Sequence, residues 1–67
     1  MTTITLNGDP FELPAPLTVA ELLARLDIDP RGVAVERNFH VVKREAYGTT
    51  AIDSGDQIEI VNFVGGG

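Results

Sequence analysis

The sequence predicts an α+β domain, a mixed β-sheet packed on a single helix. Three observations predict it. One capping box opens one amphipathic helix, at Thr18. Short β-prone runs separated by turn residues precede and follow it. The chain has 67 residues, which suits one domain and leaves little interior for an enclosed active site.

Taken in order, Thr3-Ile4-Thr5-Leu6 alternates polar and apolar residues, the pattern of a half-buried strand. Asn7-Gly8-Asp9-Pro10 reads as a turn, Asn-Gly being the strongest short hairpin signal. Phe11-Glu12-Leu13 resumes the alternation with Phe11 and Leu13 inward, and Pro14 and Pro16 end that strand. Thr18 and Glu21 form the capping box, and Val19, Leu22, Leu23 and Leu26 recur on one helical face. Glu21 and Arg25 are spaced to pair on the other side. Pro30 and Gly32 are the expected stop, giving a helix of roughly two and a half turns, too short to stand alone.

Beyond the helix, Val33-Ala34-Val35 is continuously apolar and reads as a buried strand. Asn38-Phe39-His40 is a bend before a short strand at Val41-Val42. Lys43 to Tyr47 reads as a short helical turn, and Ile52 as a core residue on a polar connection. Asp53-Ser54-Gly55-Asp56 is a turn with Gly55 at positive φ. Ile58 to Val64 is the most β-prone segment. This order, with one helix on one face of a mixed four- to five-stranded sheet, is the β-grasp (ubiquitin-like) arrangement. The domain is expected over residues 1–64, with 65–67 as a flexible glycine tail.

Composition excludes several chemistries. There is no cysteine, hence no disulfide, thiolate nucleophile or Cys-ligated metal. One histidine cannot supply a multi-His site. A net charge of -5 argues against nucleic acid and anionic membranes and fits a basic protein partner. No apolar run is long enough to span a bilayer and no signal peptide is visible, so the expected location is the cytoplasm. Ser54, the sole serine, lies in a turn and makes no nucleophile–histidine pair, and His40 reads as a turn histidine. Asp27-Ile28-Asp29 resembles a fragment of a calcium loop but lacks the closing glutamate. Asp53 and Asp56 read as turn formers. The expectation is a protein that is not itself a catalyst and binds no cofactor or metal.

The remaining candidate is Gly65-Gly66-Gly67. Three residues reach roughly 10 Å beyond the last strand, and without side chains they can thread a narrow channel. They would deliver the α-carboxylate of Gly67, ionised at neutral pH with a usual pKa of about 3.3–3.7. Such a carboxylate can attack the α-phosphorus of ATP, and a sulfur nucleophile can then displace AMP to leave a thiocarboxylate. Strict alternation in the last strand sends Ile58 and Ile60 toward the helix and Glu59, Val61 and Phe63 to the opposite face. Val61 and Phe63 would form an exposed apolar patch beside the tail, unless a loop or a second copy covers it.

The segments Val35-Glu36-Arg37-Asn38, Val42-Lys43-Arg44-Glu45-Ala46-Tyr47 and Ser54-Gly55-Asp56-Gln57-Ile58-Glu59-Ile60-Val61, continuing through Phe63-Val64-Gly65-Gly66-Gly67, resemble the ThiS family. Its members are sulfur carriers of thiamine biosynthesis and β-grasp relatives of ubiquitin, and the likeness runs along essentially the whole chain. The resemblance implies that an E1-like enzyme adenylates Gly67 with ATP and magnesium. It further implies that a cysteine desulfurase, with or without a rhodanese-type relay, supplies sulfur, and that the thiocarboxylate feeds thiazole synthase. Val61, Phe63 and Glu59 would dock these partners, with Gly65 and Gly66 recognised in the tail. A carrier for molybdopterin or another thiolation pathway shares the tail chemistry. A protein modifier conjugated to lysines and a plain β-grasp interaction module are the other readings.

Overall fold

The computed structural model describes residues 1–63; the expectations for Val64, Gly65, Gly66 and Gly67 lie outside the described residues. Two hairpins, one helix and a final strand build the domain. The first hairpin joins β1 (Thr2–Leu6) to β2 (Asp9–Leu13), with Leu6 opposite Asp9. Its loop is therefore Asn7-Gly8 alone, both at positive φ (49° and 88°), the conformation that matches the strand twist. Pro10 is thus inside β2 rather than in the turn, tolerated because β2 is an edge strand.

The helix α1 spans Val19–Arg25. Its capping box is complete: the Glu21 N–H donates to Thr18 Oγ1 at 3.1 Å and the Thr18 N–H to Glu21 Oε1 at 2.8 Å. Glu21 is committed to that cap, and among the described residues no ion pair joins it to Arg25, contrary to the sequence expectation. The helix also stops earlier than Pro30. Asp27 takes the left-handed conformation (φ 60°), donating from its N–H to the Ala24 carbonyl while the Ile28 N–H donates to the Leu23 carbonyl. This is a Schellman stop with Asp27 where glycine is usual. Asp27→Gly is expected to raise stability by about 0.5–1 kcal/mol, by relieving the backbone and removing a negative charge at a helix C-terminus. Thermal unfolding of the two proteins checks it.

Asp29 caps the 3₁₀ turn Pro30–Gly32 and pairs with Arg31 at 2.9 Å. The Arg31 side chain and backbone N–H hold its carboxyl down at about 2.

Strands β3 (Leu17–Thr18), β4 (Val33–Arg37), β5 (His40–Val42), β6 (Ala51–Ile52) and β7 (Gln57–Asn62) complete the fold. A five-stranded sheet runs in the order β2-β1-β7-β4-β5, with β1 and β7 parallel at its centre and the other pairs antiparallel. Strands β3 and β6 form a small second sheet, so Ile52 sits on a strand rather than on a polar connection. In β4 only Val33 and Val35 are buried, and Ala34 points to the other face, so the run is one-sided rather than buried throughout. The core lies between α1 and one sheet face, where Leu13, Val19, Leu22, Leu23, Val35, Ile52 and Ile58 are fully enclosed. Each such side chain contributes about 1.5–3 kcal/mol of transfer free energy. Tyr47, which caps the C-terminal end of the 3₁₀ turn Arg44–Ala46, closes one end and donates its hydroxyl to the Val33 carbonyl at 3.4 Å.

Candidate functional site

Among the described residues no helix covers the sheet face away from α1, and the pairing register shows what that face presents. In β7, Ile58 is buried and Ile60 half-buried, while Glu59 and Val61 are exposed on the opposite face. Val61 lies opposite Ala34 of β4, and Glu59 lies opposite Glu36, which lies opposite Val41 of β5. The Phe63 N–H donates to the Gly32 carbonyl at 3.0 Å, carrying the chain one residue past β7 beside Val33. Val61 is 58% exposed and Phe63 49%. Among the described residues, therefore, the end of β7 that leads to Gly65, Gly66 and Gly67 carries an open apolar pair.

Glu59 and Glu36 stand directly opposite on adjacent strands. Like charges in that relation destabilise a sheet. The outward positions of the five strands also include Glu12, and none of them is lysine or arginine. The face is acidic with apolar points, which suits a basic-rimmed apolar surface on a partner.

The second hairpin is built like the first. Arg37 lies opposite His40, leaving Asn38-Phe39 as a two-residue loop with both residues at positive φ (53° and 70°). Asn7 and Asn38 occupy the same loop position, and each side chain accepts a backbone N–H from β7: Ile60 at 2.8 Å and Gln57 at 2.9 Å. At the next position one loop has Gly8 and the other Phe39. A bulky residue there is an outlier, costing about 1–2 kcal/mol.

Asp56 anchors this loop from below. Its Oδ2 accepts from Arg37 Nε at 2.8 Å and from the Asp53 N–H at 2.8 Å, and its Oδ1 accepts from Asn38 Nδ2 at 3.1 Å. Burial pushes its carboxyl up, but the Asp53 N–H, the Asn38 amide and the Arg37 guanidinium outweigh it, and the net shift is downward. Asp56 is a buried junction as well as the turn former read from sequence; Asp53 remains exposed, 3.8 Å from Arg37. Gly55 has the expected positive φ (89°). Ser54 Oγ accepts from the Thr3 N–H at 3.3 Å, and His40 is an exposed residue of β5.

The mixed five-stranded sheet, its parallel central pair and the single helix define a ubiquitin-like β-grasp domain whose last strand ends in an exposed apolar patch. A profile of the ThiS family matches residues 4–67, and the chain belongs to that family. It is similar to two thiazole synthases, from Paramagnetospirillum magneticum (44% identity) and Magnetococcus marinus (48%), over 64 residues in each case. Those matches cover 96% of this chain but 20% of each synthase, so the chain spans about a fifth of these relatives. It is 42% identical over 50 residues to the sulfur carrier protein ThiS of Bacillus subtilis, covering 75% of this chain and 76% of that one. The crystal structure of the thiamine biosynthesis protein ThiS from Geobacter metallireducens superposes with a TM-score of 0.86 at 38% identity, covering 98% of this chain and all of that one.

Proposed function

We propose that this chain is a sulfur carrier of thiamine biosynthesis, a co-substrate rather than a catalyst, with the Gly67 carboxylate as its reactive group. The observation behind it is that the family match runs through the glycine tail to residue 67. In the first step a Gly67 carboxylate oxygen attacks the α-phosphorus of ATP on an E1-like enzyme and pyrophosphate leaves. Magnesium on that enzyme screens the phosphates. The terminal sulfur of a persulfide on a cysteine desulfurase or rhodanese-type donor then attacks the acyl carbon and AMP leaves, giving an acyl disulfide. A thiol attacks the donor-side sulfur, forming a disulfide there and releasing the Gly67 thiocarboxylate. The thiocarboxylate delivers its sulfur to thiazole synthase; the relatives named as thiazole synthases that contain this domain support that partner. Gly65 and Gly66 serve as the narrow part that enters each active site, and Val61, Phe63 and Glu59 as the docking face beside it.

The test is an intact mass after incubation with the adenylating enzyme, ATP and a sulfur donor. The expected result is a gain matching sulfur for oxygen, followed by its loss when thiazole synthase and its substrates are added. No gain, with both enzymes active on a control carrier, overturns the carrier reading. Transfer to molybdopterin synthase but not thiazole synthase would reassign the pathway.

For the docking face, Phe63→Asp is expected to weaken both complexes about tenfold or more, the loss typical of an aromatic anchor. Phe63 is half exposed in the isolated domain, so thermal unfolding should move little. Titration calorimetry against each enzyme checks it, and unchanged affinity for both would remove Phe63 from the interface.

A further inference from the structure

We propose that the β4–β5 hairpin tip, through Phe39 and Val41, is a second docking point for thiazole synthase, seated in an apolar socket rimmed by lysine or arginine. This rests on the sulfur-carrier reading above and extends its footprint to the far end of the sheet. Phe39 is 73% exposed and Val41 71%, more open than Val61 or Phe63. Phe39 gains nothing from the core of its own domain and holds a backbone conformation that glycine would adopt without strain. A residue disfavoured on both counts points to a role outside folding.

The surroundings specify the partner's chemistry. Val41 shares its row on the sheet with Glu36 and Glu59, the like-charge pair whose repulsion a basic group on a partner would relieve. A second copy of this chain would bring the same acids against each other, on a domain already at -5. Arg37 and Val33 lie four residues apart on β4, so the tip stands roughly 13 Å of strand away from the tail end of β7. A contact there adds affinity and orientation without occupying the reacting end. Two thiazole synthases carry a segment similar to this domain in their own chains. Fusion to thiazole synthase in those relatives argues for that enzyme as the occupant of a contact separate from the tail.

The experiment compares the full chain with Phe39→Gly, which suits the positive φ, and with Val41→Thr, which keeps β propensity on an exposed strand. Affinity for purified thiazole synthase is measured by calorimetry, and adenylation by ATP–pyrophosphate exchange with the E1-like enzyme. The expected result for Phe39→Gly is binding to thiazole synthase weakened about tenfold or more, exchange unchanged and thermal stability equal or higher. Val41→Thr should weaken the same complex to a smaller extent. Unchanged affinity in both variants, with the parent chain binding normally, overturns this proposal and leaves the carrier reading standing. Equal loss toward the adenylating enzyme overturns the assignment to thiazole synthase. A dimer of the parent chain that dissociates in Phe39→Gly, with enzyme binding intact, gives the tip to a second copy instead. Failure of the parent chain itself to bind thiazole synthase removes both this contact and that partner from the carrier reading.

Discussion

Removal of Gly66 and Gly67 is expected to abolish thiocarboxylate formation while leaving the domain folded. The reason is reach. The shortened chain still ends in a glycine carboxylate, with the same nucleophilicity and nearly the same pKa. It ends roughly 7 Å short, at about 3.3–3.6 Å per residue. Attack on the α-phosphorus requires the oxygen within about 3–3.5 Å in line with the leaving group, and a misplacement of about 1 Å already costs on the order of 100-fold. Among the described residues every fully enclosed core side chain lies between Leu13 and Ile58, so stability is expected to change little when Gly66 and Gly67 are removed. Intact mass after incubation with the adenylating enzyme, ATP and a sulfur donor reads the first part, and thermal unfolding the second. Sulfur incorporation at the parent rate would show that tail length does not position the carboxylate. Loss of folding instead would make the glycines structural.

Local signals in the sequence are legible where one residue type settles one conformation. Asn7-Gly8 marked a hairpin because few residues tolerate two positive φ angles in succession, and the loop has both. Thr18 and Glu21 marked the helix start because the capping box is a contact between neighbours in sequence. Alternation in β7 placed Glu59 and Val61 on the open face, since side chains there have a period of two. The features not legible in the sequence depend on distant partners or on unusual occupants. Asp27 ends the helix in a position where glycine is the recognisable signal. Strands β3 and β6 are two residues each, below the length at which periodicity exists. Phe39 sits where a turn residue was expected, so Asn38-Phe39-His40 read as a bend rather than as a tight hairpin loop. The row Val41–Glu36–Glu59 joins three strands, and only the sheet register brings it together. The parallel pairing of β1 with β7 likewise joins the two ends of the domain.

Asp56 is the largest case of that kind, and its replacement is the second strong expectation. Asp56→Ala should lower stability by about 2–3 kcal/mol, a large part of the roughly 3–10 kcal/mol available to a domain of this size. Three donors converge on its carboxylate from the Arg37 side chain, the Asn38 side chain and the Asp53 backbone. Truncation leaves all three without it, and Arg37 keeps only the exposed Asp53, at 3.8 Å. The effect should depend on pH in a definite direction. The folded protein holds the Asp56 carboxyl below its ordinary value, so its contribution is fully present above the unfolded carboxylate range, about pH 4. It declines as pH falls through the lowered folded value. The stability gap between the parent chain and Asp56→Ala should therefore be widest at neutral pH and should narrow under acid. Denaturant unfolding at neutral pH and at progressively lower pH checks this, and a gap that does not change with pH would assign the loss to packing rather than to charge. The same junction connects to the docking surface. Asn38, held by Asp56 through its amide nitrogen, holds Gln57 of β7 through its amide oxygen and begins the loop that presents Phe39. Asp56→Ala should therefore loosen the β4–β5 tip before the rest of the sheet, a change that amide hydrogen exchange at Asn38 and Gln57 would register directly.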